Sequence, residues 1–125
     1  MLHIPDLYIK YTPETGRGVY TAAAIPAGSI IELAPVILLS ADDRKAIHAT
    51  YLHDYYYQWA GDGAAIALGY GSLYNHSDRA NAEFELDYEQ ELIRFTALRD
   101  IRPGEEITTD YRVGDPEMRL WFKTK

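Results

Sequence analysis

The sequence predicts a mostly β fold with few short helices. Segments rich in β-branched and aromatic residues outnumber helical ones, turn residues recur between them, and one segment alternates strictly between apolar and polar residues. The chain has 125 residues, of which 47% are hydrophobic and 25% charged. This length and balance predict a single domain over 1–125, with one hydrophobic core.

The first half of the chain contains three predicted strands. Residues 7–11 form the first, and a turn over 12–18 leads to the second at 19–22. Residues 30–39 are rich in β-branched residues, but Pro35 is expected to break this strand, because proline cannot donate a ladder hydrogen bond.

A short helix should follow. Ser40 has an acidic residue, Asp43, three positions later, which is the pattern of a helix cap, and the helix is expected to end before Tyr51. The aromatic run over 55–59 is strand-like, and glycines at 61–63 turn the chain after it.

The second half contains the clearest periodicity. Apolar residues alternate with polar ones there, which predicts a strand with one buried face. The apolar members are Ala82, Phe84, Leu86 and Tyr88. Residues 92–98 should form the second strand of a hairpin, and 105–111 a last strand after the turn at 102–104.

Composition excludes several classes of function. The chain has no cysteine, so disulfides, a thiol nucleophile and cysteine-ligated zinc are excluded. The net charge of −7 disfavours direct nucleic-acid binding and favours a cationic partner. The N-terminus lacks the pattern of a signal peptide, and the apolar runs are too short to span a membrane. An intracellular, soluble protein is expected.

The isolated motifs are weak on their own. Gly16-x-Gly18 lacks the third glycine of a dinucleotide fingerprint, so it is typical of a hairpin turn. His48 and His53 are five residues apart and do not share a helical face, so no metal site is predicted. No nucleophile elbow surrounds Ser72.

Tyrosine is unusually abundant, with eleven residues against three phenylalanines. Several cluster in the middle of the chain, at Tyr51, Tyr55, Tyr56, Tyr57 and Tyr70. They could pack in the core with their hydroxyls on water or backbone, or line a narrow channel for a cationic chain. Composition does not decide between these two readings.

The order of four segments resembles the SET domain, the family of S-adenosylmethionine-dependent protein lysine methyltransferases. The segments are Gly16-Arg17-Gly18, Ile25-Pro26-Ala27-Gly28 through Glu32, Asn75-His76-Ser77 with Asn81, and Ala97-Leu98-Arg99-Asp100 through Glu105-Glu106-Ile107-Thr108-x-Asp110-Tyr111. The resemblance covers a core of about 7–112, and 113–125 would be a tail that covers the cofactor. The last two motifs are the specific ones.

The resemblance implies a β-clip fold with knot-like threading of the C-terminal segment, which would bring Asn75 and His76 to Tyr111. It also implies S-adenosylmethionine as cofactor and gives each matched residue a role. The residues implied to bind the cofactor are Arg17, Gly18, Asn75, His76 and Trp121. Those implied to form the lysine channel are Tyr55, Tyr57, Tyr74 and Thr109, and the implied catalytic residue is Tyr111. Because Thr109 is small where the family often has Phe or Tyr, more than one methyl transfer is expected.

The resemblance therefore predicts methyl transfer to a lysine in a basic protein or peptide, histone-like or ribosomal. The alternative is a non-catalytic SET-fold module that binds peptide or cofactor, which Leu33-Ala34-Pro35 favours slightly because the family often has Tyr-x-Gly there. No membrane contact is expected, and a homodimer would help so small a domain to complete a substrate groove. The compartment would be the cytoplasm, or the nucleus for a eukaryotic protein that acts on chromatin.

Overall fold

A computed structural model describes residues 2–111. The architecture is mostly β, as the sequence predicts. The strands are β1 (Leu2–His3), β2 (Leu7–Thr12), β3 (Gly16–Thr21), β4 (Ile30–Leu39), β5 (Tyr57–Trp59), β6 (Gly63–Ala67), β7 (Asn75–His76), β8 (Ala82–Asp87), β9 (Leu92–Ala97) and β10 (Glu106–Thr109). One α-helix, α1 (Ala41–His48), and a 3-10 helix, Tyr51–Asp54, lie between β4 and β5.

The strands hydrogen-bond in the order β2-β3-β10-β8-β9-β4-β6-β5, with β1 beside β4 and β7 beside β10. Strand β10 runs antiparallel to β3 and parallel to β7 and β8. The last described strand thus lies between segments that are distant in the sequence. Knot-like threading beyond Tyr111 would involve residues outside the described part of the chain, as would the tail at 113–125, so both stay predictions.

Strand β4 is continuous through Pro35, so the predicted break there is wrong. Residues 30–35 pair with β9, whereas residues 36–39 pair with β6. Pro35 therefore lies at the last position of the first ladder, where the strand changes partner. Its carbonyl still accepts a hydrogen bond from Leu68 N, at 2.9 Å.

The predicted helix cap and hairpin are confirmed. Ser40 Oγ accepts a hydrogen bond from Asp43 N at 3.1 Å, and the Asp43 carboxylate accepts one from Ser40 N. Strands β8 and β9 pair in register as a hairpin. Tyr88, however, does not continue the buried face of β8: it follows the end of the strand, is 55% exposed, and packs edge-on against Trp59.

The hydrophobic core is formed by buried side chains of β2–β6 and β8–β10, together with Ile25, Tyr74 and Ile101. Its fully buried side chains are mainly aliphatic and come from the strands that the topology brings to the middle of the sheet. Phe95 and Tyr74 pack with their ring centroids 4.6 Å apart at its centre. Within residues 2–111, no helix combines the length and the apolar character that a membrane span requires.

Candidate active site

The end of β10 places Tyr111 beside β7. Parallel pairing of β7 with β10 aligns Thr109 with His76, and the backbone N–H of Tyr111 donates to His76 Nδ1 at 3.0 Å. The phenol of Tyr111 donates a hydrogen bond to the carbonyl of Tyr74. The juxtaposition of the Asn-His-Ser segment with Tyr111, which the resemblance implies, is therefore present.

His76 fixes the backbone at this position through a defined tautomer. Since Nδ1 accepts from the Tyr111 backbone, the ring proton must lie on Nε2, which is 3.1 Å from Asp78 Oδ1. The second nearby carboxylate, Asp110, has Oδ1 3.7 Å from His76 Nδ1. The imidazole thus has a structural contact with Tyr111 in addition to the adenine contact through backbone groups that the resemblance implies for His76.

Asn75 is almost fully buried and has one unsatisfied atom. Its Nδ2 donates to the carbonyl of Arg17 at 3.2 Å and to Glu106 Oε2 at 2.7 Å, and these two acceptors fix the orientation of the amide. Its Oδ1 is buried without a hydrogen-bond partner among the described residues. A buried acceptor of this kind fits a ligand that carries a hydrogen-bond donor.

Gly18 is required by close packing against the same pair. A Cβ at this position would lie 2.9 Å from Asn75 Nδ2 and closer still to Glu106 Oε2. Any side chain would therefore displace the amide from its two acceptors. The glycine at position 18 therefore leaves room for the side chains of Asn75 and Glu106.

Two cavities adjoin at this end of the molecule. The first, which we call the tyrosine cavity, is narrow and is lined by Asp54, Tyr55, Tyr56, Tyr57, Ser72, Tyr74, Phe84 and Tyr111. The second, which we call the glycine cleft, is more open and is lined by Tyr11, Thr15, Gly16, Arg17, Tyr51, Asp54, Tyr55 and Leu73. Asp54 and Tyr55 line both, so the cavity and the cleft share a wall at the end of the 3-10 helix.

The predicted channel tyrosines occupy different positions. Tyr57 donates to the carbonyl of Gly71 at 2.7 Å and lines the tyrosine cavity. Tyr74 also lines it, but its hydroxyl points into the core and donates to Glu32 Oε1 at 2.7 Å. The two readings of the tyrosine cluster, core packing and channel lining, are therefore combined in Tyr74.

Three of the phenols that line the tyrosine cavity have a raised pKa. Burial raises the pKa of Tyr111, and the nearby Tyr55, Asp54 and Glu106 raise it further. Burial likewise raises the pKa of Tyr57 and of Tyr74 well above the ordinary tyrosine value. These hydroxyls therefore act as hydrogen-bond donors and acceptors rather than as phenolate bases.

Two further predicted residues lie away from the cavity or beyond the described chain. Thr109 is fully buried, its Oγ1 has no hydrogen-bond partner among residues 2–111, and it is not among the residues that line the tyrosine cavity. Trp121 lies outside the described residues. Its role as a cover for the cofactor stays a prediction.

Sequence reasoning did not assign a role to two carboxylates at the site. Glu32 is fully buried, and its Oε2 accepts from Tyr70 N at 2.9 Å; its signal in the sequence is a charged residue inside an apolar strand. Asp54 lines both cavities. The feature of the sequence that could have indicated it is a carboxylate directly before three tyrosines. In the part of the chain that the structure describes, no three His, Cys, Asp or Glu side chains are grouped to hold a metal ion.

Comparisons with known proteins agree with this geometry. A Schizosaccharomyces pombe relative, a histone-lysine N-methyltransferase specific for H3 lysine 37, is 35% identical over 119 residues, which cover 94% of this chain and 77% of that protein. The crystal structure of a candidate histone methyltransferase from Plasmodium falciparum superimposes with a TM-score of 0.67 and 29% identity, covering 84% of this chain and 96% of the solved one. The model of the SET domain family matches residues 16–112. The chain therefore belongs to the SET domain family of protein lysine methyltransferases.

Proposed function

We propose that the protein transfers a methyl group from S-adenosylmethionine to a lysine in a basic, histone-like segment. The observation that carries this proposal is a pair of neighbouring cavities that share the wall formed by Asp54 and Tyr55, one of which is lined by the protonated phenol of Tyr111. The tyrosine cavity suits the aliphatic stem and amine of a lysine, and the glycine cleft suits a larger polar ligand. Tyr111 lines the tyrosine cavity, and Asp54 and Tyr55 line both the tyrosine cavity and the glycine cleft.

The residues around the glycine cleft fit the cofactor. Arg17 lines the cleft, Gly18 packs against the Asn75 amide, and the unsatisfied Oδ1 of Asn75 can accept from the ammonium of the methionyl end. His76 follows Asn75 on β7, where its backbone would contact the adenine. When bound, S-adenosylmethionine supplies an electrophilic methyl group on a sulfonium.

The tyrosine cavity would help the substrate lysine to lose its proton. A free lysine has a pKa of about 10.4 and is almost entirely charged at neutral pH. Desolvation between aromatic walls lowers that pKa, and a neighbouring positive charge lowers it further. A pKa near 7 requires about three units, or roughly 4 kcal/mol, from these two effects.

Tyr111 would orient the neutral amine. Its hydroxyl donates to the Tyr74 carbonyl, and a phenol oxygen that donates its proton can also accept a hydrogen bond from an amine. Because burial keeps the phenol protonated, Tyr111 does not remove the proton itself. In the transfer, the amine nitrogen forms a bond to the methyl carbon as the carbon–sulfur bond breaks, and alignment is what the protein contributes.

The substrate class follows from charge and from the relative. The S. pombe relative is specific for histone H3 lysine 37, and the net charge of −7 on this chain suits a basic tail. We therefore propose a histone H3 segment as substrate, which would place the protein in the nucleus. The binding-module alternative is not favoured, because Asn75, His76 and Tyr111 are all present and His76 contacts Tyr111 directly.

Methyl transfer from radiolabelled S-adenosylmethionine to histone H3 tests the proposal. Tyr111→Phe should lower the transfer rate on the order of 100-fold, since it removes the hydroxyl that orients the amine, while calorimetry shows unchanged cofactor binding. Tyr88→Phe, which removes a hydroxyl from an exposed tyrosine, is the matched control. Full activity of Tyr111→Phe would contradict the assigned role, and no transfer by the wild-type protein would contradict the proposed substrate.

Two finer points belong to the same proposal. The small Thr109 leads us to expect products beyond monomethyllysine, which mass spectrometry of the methylated peptide would show. A homodimer would enlarge the substrate groove, and light scattering of the active protein tests it. A product that stops at monomethyllysine would contradict the expected degree of methylation. A monomer with full activity would contradict the expected homodimer.

A further inference from the structure

We propose that the carboxylate of Asp54 binds the ammonium group of the substrate lysine at the junction of the tyrosine cavity and the glycine cleft. The inference rests on the proposed function and adds a substrate-binding residue to it. Asp54 is the last residue of the 3-10 helix Tyr51–Asp54, which places its side chain in the walls of both cavities. The Asp54 carboxylate is therefore available to a cation in either cavity.

The immediate environment leaves Asp54 suited to a cationic ligand. Its Oδ1 is buried and lies 3.1 Å from His53 Nε2, an ion-pair distance at which no hydrogen bond is formed. His53 is itself partly exposed, and its Nδ1 lies 3.1 Å from the carbonyl of Thr50. A buried carboxylate oxygen without a hydrogen bond is costly, and an ammonium donor would remove that cost.

The other titratable groups around Asp54 are mostly phenols. Those in the walls of the two cavities are Tyr11, Tyr51, Tyr55, Tyr56, Tyr57, Tyr74 and Tyr111. His48 of α1 packs against His53, with ring centroids 5.9 Å apart. Arg17 lines the glycine cleft, yet among the described residues no arginine or lysine nitrogen lies within 4.0 Å of the Asp54 carboxylate.

The combination of one carboxylate with aromatic walls is a binding site for an alkylammonium ion. The rings attract the cation through their faces, and the carboxylate supplies the counter-charge. The same carboxylate also favours the charged form of the lysine, which opposes its deprotonation. Asp54 would therefore strengthen substrate binding while shifting the chemical step toward higher pH.

The substitution Asp54→Asn separates these two effects, because the amide keeps the shape of the side chain and removes its charge. With a histone H3 peptide that contains lysine 37, we expect KM for the peptide to rise about tenfold and KM for the cofactor to stay unchanged. The acid limb of the kcat–pH profile should move to lower pH, because the bound lysine loses its counter-charge. Glu89→Gln removes an exposed carboxylate in a turn and controls for net charge.

A second peptide tests whether the weaker peptide binding of Asp54→Asn depends on the positive charge of the lysine. Wild-type protein should bind the lysine peptide more tightly than a norleucine peptide of the same sequence, and Asp54→Asn should reduce this difference about tenfold. The inference would be overturned if Asp54→Asn weakened the binding of both peptides equally. It would also be overturned if the substitution weakened cofactor binding and left peptide binding unchanged.

A separate experiment distinguishes failure of the Asp54 inference from failure of the proposed methyltransferase function. If the wild-type protein methylates no H3 peptide, the Asp54 inference is tested with n-butylammonium, the cationic group of lysine alone. Saturable shifts of the tyrosine-cavity resonances in NMR should appear for the wild type and weaken in Asp54→Asn, whereas n-pentanol should give the same shifts in both. Equal responses of the two proteins to n-butylammonium would contradict the inference.

Discussion

Tyr74 connects the core of the protein to the phenol of Tyr111. Its hydroxyl donates to the buried carboxylate of Glu32, while its backbone carbonyl accepts the hydrogen bond from Tyr111. Glu32 also accepts a hydrogen bond from the backbone of Tyr70. The position of the candidate catalytic phenol therefore depends on a buried polar network that extends from β4.

The first prediction concerns this network. Tyr74→Phe leaves Glu32 Oε1 without the donor that it has at 2.7 Å, and a buried acceptor that loses its hydrogen bond costs about 1–3 kcal/mol. Urea denaturation should show that loss in the free energy of unfolding. Tyr88→Phe, at an exposed position, should change it by less than about 0.5 kcal/mol. Equal stability of the two variants would contradict the network.

A second prediction concerns acid stability. The hydrogen bond from Arg102 N lowers the pKa of Glu105 below its ordinary value of 4.5, and the Arg99 and Asn81 side chains add to this effect. A lowered pKa in the folded state means that the stabilisation is complete above the unfolded-state pKa and is lost as the pH falls through the folded-state value.

The measurement compares the wild type with Glu105→Gln by thermal unfolding at several pH values. The wild type should be more stable above about pH 5, and its advantage should shrink as the pH is lowered beneath 4.5, the ordinary pKa of this carboxyl. Glu89→Gln controls for the loss of one charge. An advantage that stays constant down to pH 3 would contradict the predicted direction.

At the scale of single residues, the sequence predicts the site residues that stand in family motifs but not the carboxylates of Glu32 and Asp54. Asn75, His76 and Tyr111 stand in recognisable motifs, and the structure places them together. Glu32 and Asp54 carry no local motif, because their importance depends on which tyrosines surround them in space. Burial and shared cavity walls are properties of the tertiary structure, and a single sequence does not contain them in readable form.

At the scale of the elements, Asn81 holds β10 in place. Its Oδ1 accepts from Thr108 N at 2.9 Å and its Nδ2 donates to the carbonyl of Glu106 at 2.7 Å. The side chain thus provides both hydrogen bonds that a neighbouring strand would supply. Tyr111 lies two residues after the end of β10, so this contact also helps to position the phenol.

The third prediction is that Asn81→Ala destabilises the protein by about 2–4 kcal/mol, because two backbone groups of β10 lose their partners. Urea denaturation measures this loss, and hydrogen exchange of the Thr108 amide should become faster than in the wild type. Gln90→Ala removes an exposed amide in a turn and is the matched control. Unchanged exchange at Thr108 would show that Asn81 does not hold the strand.

The elements that sequence patterns predict are those with local causes. The hairpin β8–β9 follows from alternation, and α1 follows from its Ser40 cap. Strand β7, in contrast, has two residues and exists only because β10 pairs with it. The continuity of β4 through Pro35 likewise depends on a change of partner strand, which no local pattern indicates.

At the scale of the whole molecule, the acidic surface should assist the capture of a basic substrate. The net charge of −7 creates a field that attracts a cationic peptide before contact, and salt screens this attraction. The Debye length falls from about 10 Å at 0.1 M salt to about 3 Å at 1 M. Contacts inside the tyrosine cavity are shielded from solvent and are screened much less.

The fourth prediction follows from this difference between surface and cavity. For a histone H3 peptide, KM should rise several-fold between low and high salt, whereas kcat should change little, because the transfer step occurs among buried groups. A peptide that keeps the target lysine but has glutamine in place of its other basic residues is the control. Its KM should be higher at low salt and nearly independent of salt. If both peptides show the same salt dependence, the surface charge does not steer the substrate, and recognition depends on the cavity alone.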